Sequence, residues 1–148
     1  MDIRIETIND IDSLVKFNQA MALETEGKQL DGDVLRRGVA AVFGDESKGF
    51  YVVAEDDAQI VGGLMVTFEW SDWRDAWFWW IQSVYVLPEA RGRKIYRHLF
   101  EFVKAKAAGE GNVCGFRLYV ESDNHNAQHV YEKVGMHASH YLMFEENV

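Results

Sequence analysis

Ile3 and Ile5 alternate with Asp2, Arg4 and Glu6 at the start of the chain, a period of two that predicts a short first strand. The period then lengthens. Ile11, Leu14, Val15 and Met21 fall at helical spacing from about Asp10 until the pattern fades by Gly27. A second helix is expected from Asp31 as N-cap through Val34, Leu35, Val39, Val42 and Phe43 to Gly44, where glycine stops it. Phe50 to Glu55, a polar turn at Asp56 and Asp57, and Ile60 to Trp70 read as an antiparallel hairpin. After the polar stretch SDWRD, the apolar run from Trp77 to Leu87 has the length of a central strand. From Arg91 to Ala108, Ile95, Leu99, Phe102 and Val103 mark one face of an amphipathic helix and His98, Glu101 and Lys104 another, with Gly109 to Gly111 ending it. Phe116 to Val120 is expected to be a strand, Asn124 to Lys133 a short helix stopped at Gly135, and Met136 to Phe144 a terminal strand. The predicted order is β-α-α-β-β-β-α-β-α-β, one α/β domain over residues 1–148 with no repeat or linker.

Composition narrows the partners. The 148 residues are 48% hydrophobic and carry 24 acidic against 15 basic side chains, a formal charge of -9. That balance argues against nonspecific nucleic-acid binding, which needs a basic face. Cys114 is the only cysteine, so no intrachain disulfide can form; it is read as lying on a buried strand with no catalytic partner. The first residues lack the apolar core of a signal peptide, and the run from Trp77 to Leu87, broken by Gln82 and Ser83, is too short to cross a bilayer. A cytoplasmic protein with no membrane partner is expected.

Against this acidity, Arg91, Arg93, Lys94 and Arg97 stand together with no acid between them. Cations at the start of a helix oppose its dipole at a cost of roughly 0.3–1 kcal/mol each. A strand ending near Leu87, a turn and a helix starting near Gly92 would gather backbone N–H groups suited to a phosphate, and a pyrophosphate is the natural candidate. On charge alone, a solvated basic face paired with Glu89 and Glu101 is an equal alternative.

The context of this cluster is informative. VYVLPEARGRKIYRHLF resembles the central motif of the GCN5-related N-acetyltransferases, Arg/Gln-x-x-Gly-x-Gly/Ala, and NHNAQHVYEKVGM is similar to that family's second motif through Asn124, Ala127, Tyr131, Gly135 and Met136. The resemblance implies the family's mixed, mostly antiparallel sheet flanked by helices, with acetyl-CoA as cosubstrate. It places Val84, Tyr85 and Val86 against the pantetheine arm by strand addition. Arg91, Gly92, Arg93, Lys94, Ile95, Tyr96 and Arg97 would surround the phosphates, and Asn124 would contact the cofactor while capping its own helix. Lys94 and Tyr96 depart from the motif, standing where glycine, and glycine or alanine, are usual. Lys94 is expected in helical φ/ψ with its Cβ outward, and Tyr96 as a packing residue.

Acetyl transfer to an amine requires a neutral nucleophile, stabilisation of a developing oxyanion and protonation of the leaving thiolate. By resemblance Tyr131 is the general acid. Several family members use a glutamate on the fourth strand as base, but here Gln82 is the only polar side chain of comparable reach, so deprotonation is expected through water. Glu24 and Glu26 near the end of the first helix, and Glu69 and Asp72 before the fourth strand, are candidate carboxylates on the acceptor side. Five tryptophans from Trp70 to Trp80 lie close to Glu69, Asp72 and Asp75, a mixture that suits an ammonium or alkylamine; core or dimer packing explains them equally well. A small primary amine is the expected acceptor and a homodimer is compatible. His125 and His129 lack a third ligand, so no metal is expected. A CoA-binding or sensing module of the same fold, with little turnover, is the alternative to an enzyme.

Overall fold

The computed structural model describes residues 1–148. Its opening period-two run forms strand β1 (Asp2–Ile5), followed by a single 3-10 turn at Ile8–Asp10 and helix α1 (Ile11–Glu26), which ends where Gly27 takes φ 63°. Helix α2 (Gly32–Phe43) begins at Asp31, whose carboxylate accepts from the N–H groups of Asp33 at 3.0 Å and Val34 at 3.2 Å, the cap its sequence predicts. Strands β2 (Phe50–Asp56) and β3 (Gln59–Ser71) are joined by Asp57 and Ala58, both at positive φ, as a tight two-residue hairpin turn requires. Strand β4 (Ala76–Val86) is long, as its apolar run implies; a 3-10 turn at Pro88–Ala90 leads to helix α3 (Ile95–Glu110), and strand β5 (Val113–Arg117) follows. Helix α4 (His125–Lys133) is capped by Asn124, which accepts from the Ala127 N–H at 3.1 Å. Met1–Leu118 and Tyr119–Val148 form two compact units.

The sheet order is β1-β2-β3-β4-β5, antiparallel except for the parallel β4–β5 pair. Because successive strand residues face opposite sides, adjacent glycines report both layers. A Cβ on Gly63 would meet Leu14 of α1 at 3.6 Å, and one on Gly62 would meet Ile95 of α3 at 3.2 Å. Helices α1 and α2 therefore cover one face, with Leu14, Val15, Val39 and Val42 packed on Tyr51 and Val53. Helix α3 covers the other, burying Ile95, Leu99, Phe100 and Val103. Each fully buried Leu or Val here contributes about 1.5–3 kcal/mol.

Four expectations are corrected. Helix α3 starts at Ile95, so Arg91 to Lys94 form a turn rather than its first residues. Strand β5 lies earlier than Phe116 to Val120, because α3 closes at Gly111, with φ 79°, and the chain pairs at once, Val113 opposite Trp77. Cys114 on that strand is exposed rather than buried; its thiol donates to the Trp77 carbonyl at 3.4 Å. Met136 to Phe144 forms no strand: Tyr141, Leu142, Met143 and Phe144 are consecutive apolar residues without period-two alternation, and all four are exposed.

Candidate active site

Strand β4 changes character midway. Gly63 pairs with Tyr85 but Met65 pairs with Gln82, so Leu64 opposes both Ser83 and Val84, and Ser83 takes φ 51°. This is a β-bulge, which twists its strand sharply. On the other edge, β5 pairs with β4 only from Trp77 to Trp80. From Ile81 to Val86 that edge of β4 has no ladder partner within the sheet, although β3 still pairs with its opposite edge. The bulge and the parting of β4 from β5 fall together, leaving a wedge beside Val84, Tyr85 and Val86.

The chain leaves this wedge through Pro88–Ala90 and turns into α3. Gly92 has φ 84°, and Lys94 adopts φ 60°, ψ 30° in the left-handed region, not the helical conformation expected of it. The turn must place two residues at positive φ to aim the start of α3 back at the strand end, and glycine fills only one of them. No side chain caps the first turn of α3. Arg91, Gly92, Arg93, Lys94 and Arg97 are exposed there, while Ile95 and Tyr96 are buried, Tyr96 stacking on Phe100 at 5.9 Å between centroids. Tyr96 is thus a packing residue, as expected.

Within the basic cluster Arg91 and Arg93 are neutralised by acids other than Glu89 and Glu101. Arg91 donates from Nη2 to Glu24 Oε2 at 2.8 Å and from Nε to the Val86 carbonyl at 3.0 Å. Arg93 pairs with Asp56 at 2.7 Å. Glu24 also accepts from the Tyr85 hydroxyl at 2.8 Å. The Arg91 and Tyr85 hydrogen bonds hold the Glu24 carboxyl below the usual range, and burial followed by the Glu24 bond pushes the Tyr85 phenol up. Glu24, Tyr85 and Arg91 thus join the end of α1, the end of β4 and the turn before α3.

Further along the α1 face of the sheet, Gln82 donates to Thr67 Oγ1 at 2.6 Å. Glu69 accepts from Trp80 Nε1 at 2.8 Å and from Arg117 at 3.0 Å, and Arg117 lies 3.6 Å from the Phe78 ring centroid. Arg117 has no part in either motif, and only the β4–β5 register brings it to Glu69. Glu26 is exposed, 4.0 Å from Lys28, and Asp72 is exposed at the hairpin tip, so neither joins the Glu24 or Glu69 groups. The tryptophans divide: Trp79 is buried, Trp77 and Trp80 are half-buried, and Trp73 is 87% exposed. Asn124 and Tyr131 belong to the second unit, on α4 and its cap; Tyr131 is half-buried, and burial raises its phenol. A cavity of about 570 Å³ beside Arg4, Asp10, Lys16 and Gln59 is lined by none of the residues expected in the site.

An open strand edge lies next to an uncapped helix start, reached through a turn rich in cations, an arrangement that can take an extended ligand ending in an anion. The family model of the acetyltransferase (GNAT) family matches residues 13–136. The chain belongs to this family of acyltransferases. A "possible acetyltransferase" from Clostridium difficile 630 is 46% identical, with TM-score 0.92 over 99% of this chain and 97% of that one. A "predicted acetyltransferase with acetyl-CoA" from Clostridium acetobutylicum shares the fold at 18% identity and TM-score 0.78, over 97% of this chain and 95% of its own. A transcriptional regulator from Bacillus halodurans C-125 does so at 23% identity and TM-score 0.83, over 99% of both chains. A comparison with curated proteins gave no match. No helix is long and apolar enough to cross a membrane.

Proposed function

We propose that this protein transfers an acetyl group from acetyl-CoA to a primary amine of a small molecule by direct attack within a ternary complex. The observation that carries the reading is the unpartnered edge of β4 from Ile81 to Val86, lying next to the Arg91–Lys94 turn and the uncapped start of α3. An amide-bearing pantetheine arm can continue a sheet along Val84, Tyr85 and Val86, as a peptide does. Arg91, Gly92, Arg93, Lys94, Ile95, Tyr96 and Arg97 supply the diphosphate site, by side-chain charge or by backbone N–H groups at the helix start. Asn124 is assigned to the cofactor by its place in the family's second motif. We take the whole chain, both units included, as one acetyltransferase domain, since the family match runs through residue 136.

In the transfer step the amine nitrogen bonds to the thioester carbonyl carbon, the carbon–sulfur bond breaks, and the leaving sulfur takes a proton from the Tyr131 hydroxyl. A phenol raised by burial still holds its proton at neutral pH, which suits an acid. The amine loses its own proton through water. Glu24, Glu69 and Gln82 face the acceptor from the α1 side of the sheet, with Glu26 and Asp72 at its margin.

The test is calorimetric titration with CoA, followed by thiol release from acetyl-CoA across a panel of primary amines. Saturable binding and turnover of at least one amine are expected, and Tyr131→Phe should lower kcat by about 10²-fold or more. An absence of CoA binding at low salt overturns the reading. CoA binding with no turnover of any amine establishes the sensing module instead, a reading favoured by the acid pairing of Arg91 and Arg93 and the substituted turn at Lys94.

A further inference from the structure

Resting on that reading, we propose that Arg91 exchanges partners during the cycle, leaving Glu24 for the cofactor diphosphate and thereby uncovering Glu24 as the anchor for the acceptor's ammonium. Both oxygens of Glu24 are in use, Oε1 by the Tyr85 hydroxyl and Oε2 by Arg91 Nη2, each at 2.8 Å. In this state the carboxylate presents no net charge to a cation. The pairing is one that can be given up: the side chains of Arg91 and Glu24 are 49% and 40% exposed, and ion pairs this open to solvent are weak. A diphosphate offers the same guanidinium two forked acceptors and a higher charge.

The position of Glu24 also calls for an explanation. It lies in the last turn of α1, where the helix dipole disfavours an anion, and no basic residue shares that turn. Arg91 compensates it from 67 residues away. When Arg91 turns to the diphosphate, that compensation goes and the Tyr85 bond remains. The result is a carboxylate with one open oxygen at the end of β4, held in place by a side chain whose backbone lines the cofactor wedge. Tyr85, buried against Phe17 with ring centroids 5.3 Å apart, keeps this geometry while Arg91 moves. Cofactor and ammonium binding are then mutually favourable, since each prefers the state in which Arg91 and Glu24 are apart.

The test is a double-mutant cycle on CoA affinity. Glu24→Gln frees Arg91 and should tighten CoA binding by about two- to fivefold. In an Arg91→Ala background the same change should do no more than Glu26→Gln, which reports the general effect of losing one negative charge nearby. Equal effects of Glu24→Gln in both backgrounds, or none in either, overturn the exchange. With any amine of the panel that the wild type acetylates, Glu24→Gln should raise KM about tenfold, more than it lowers kcat; an unchanged KM overturns the ammonium role. Should the wild type bind no CoA, the proposed function fails first and the exchange with it, an outcome visible before any variant is made.

Discussion

Lys94 holds a left-handed conformation at a position where the family's motif usually has glycine, so replacing it should stabilise the protein. An L-residue in this region is disfavoured by roughly 1–2 kcal/mol. Glycine removes that strain but gives back about 0.5–1 kcal/mol through the greater freedom of the unfolded chain. The lysine also places a cation at the start of α3, and its loss contributes about 0.3–1 kcal/mol at low salt. The side chain makes no cap bond whose loss would offset these gains. Lys94→Gly is therefore expected to stabilise by about 1 kcal/mol, a rise in Tm of about 2–4 °C for a chain of this size. Lys94→Ala keeps the strain and removes only the charge, so it should recover about 0.3–1 kcal/mol, and only at low salt. Urea unfolding of the three proteins at low and high salt separates the two contributions. The gap between the glycine and alanine variants should persist in salt. If alanine is as stabilising as glycine, the backbone argument at this turn is wrong.

Two further substitutions probe the scaffold beneath the site. Gly49 has φ 135°, and a Cβ there would clash with the Val66 carbonyl oxygen, so Gly49→Ala should cost about 3 kcal/mol or more; a chemical-denaturation midpoint within error of wild type refutes the β2–β3 geometry. Asp10 is 3% exposed and takes two bonds from Arg4, at 2.8 and 3.0 Å, and one from the Thr7 N–H at 2.7 Å, so Asp10→Asn should destabilise by about 3 kcal/mol at neutral pH. Burial alone favours the neutral acid, but Arg4 and Thr7 outweigh it and lower the carboxyl's pKa on folding. The stabilisation is thus complete above the unfolded value of about 4 and is lost as pH falls through the lower folded value, so the gap between wild type and variant should close in acid. A gap that stays constant down to pH 2 contradicts the assignment.

What the sequence made legible follows from where periodicity is strong. Helix α2 shows its apolar face and its Asp31 cap in linear order, and β2 and β3 are apolar runs on either side of a polar turn. The start of α3 is not legible because Arg91, Gly92, Arg93 and Lys94 interrupt no apolar period, and a turn accommodates them as readily as a helix. Nothing marks Ser83 as a bulge, since no glycine or proline stands there; the twist is set by the mismatch of β3 and β4, which only the paired register reveals. Glu89 and Glu101 are the acids nearest the basic cluster in sequence, whereas the partners of Arg91 and Arg93, Glu24 and Asp56, come from other elements that the fold carries into place. The motif residues are legible because they are contiguous, and the acids that neutralise Arg91 and Arg93 are not, because their proximity is tertiary.

Tertiary proximity of this kind is also what the proposed anion site needs in an acidic chain. Three cations in one turn and a fourth, Arg97, at the start of α3 would repel each other and oppose the dipole of the helix, a combination that should loosen the very backbone an anion needs rigid. Pairing Arg91 with Glu24 and Arg93 with Asp56 relieves the repulsion without burying the charges, so the turn is ordered while its guanidinium groups stay close to solvent. An exposed pair is weak enough to yield to a diphosphate, and a buried one would not be. The modest strength of these contacts is therefore what would let one set of arginines both order the turn and, under the proposed function, pass to a diphosphate.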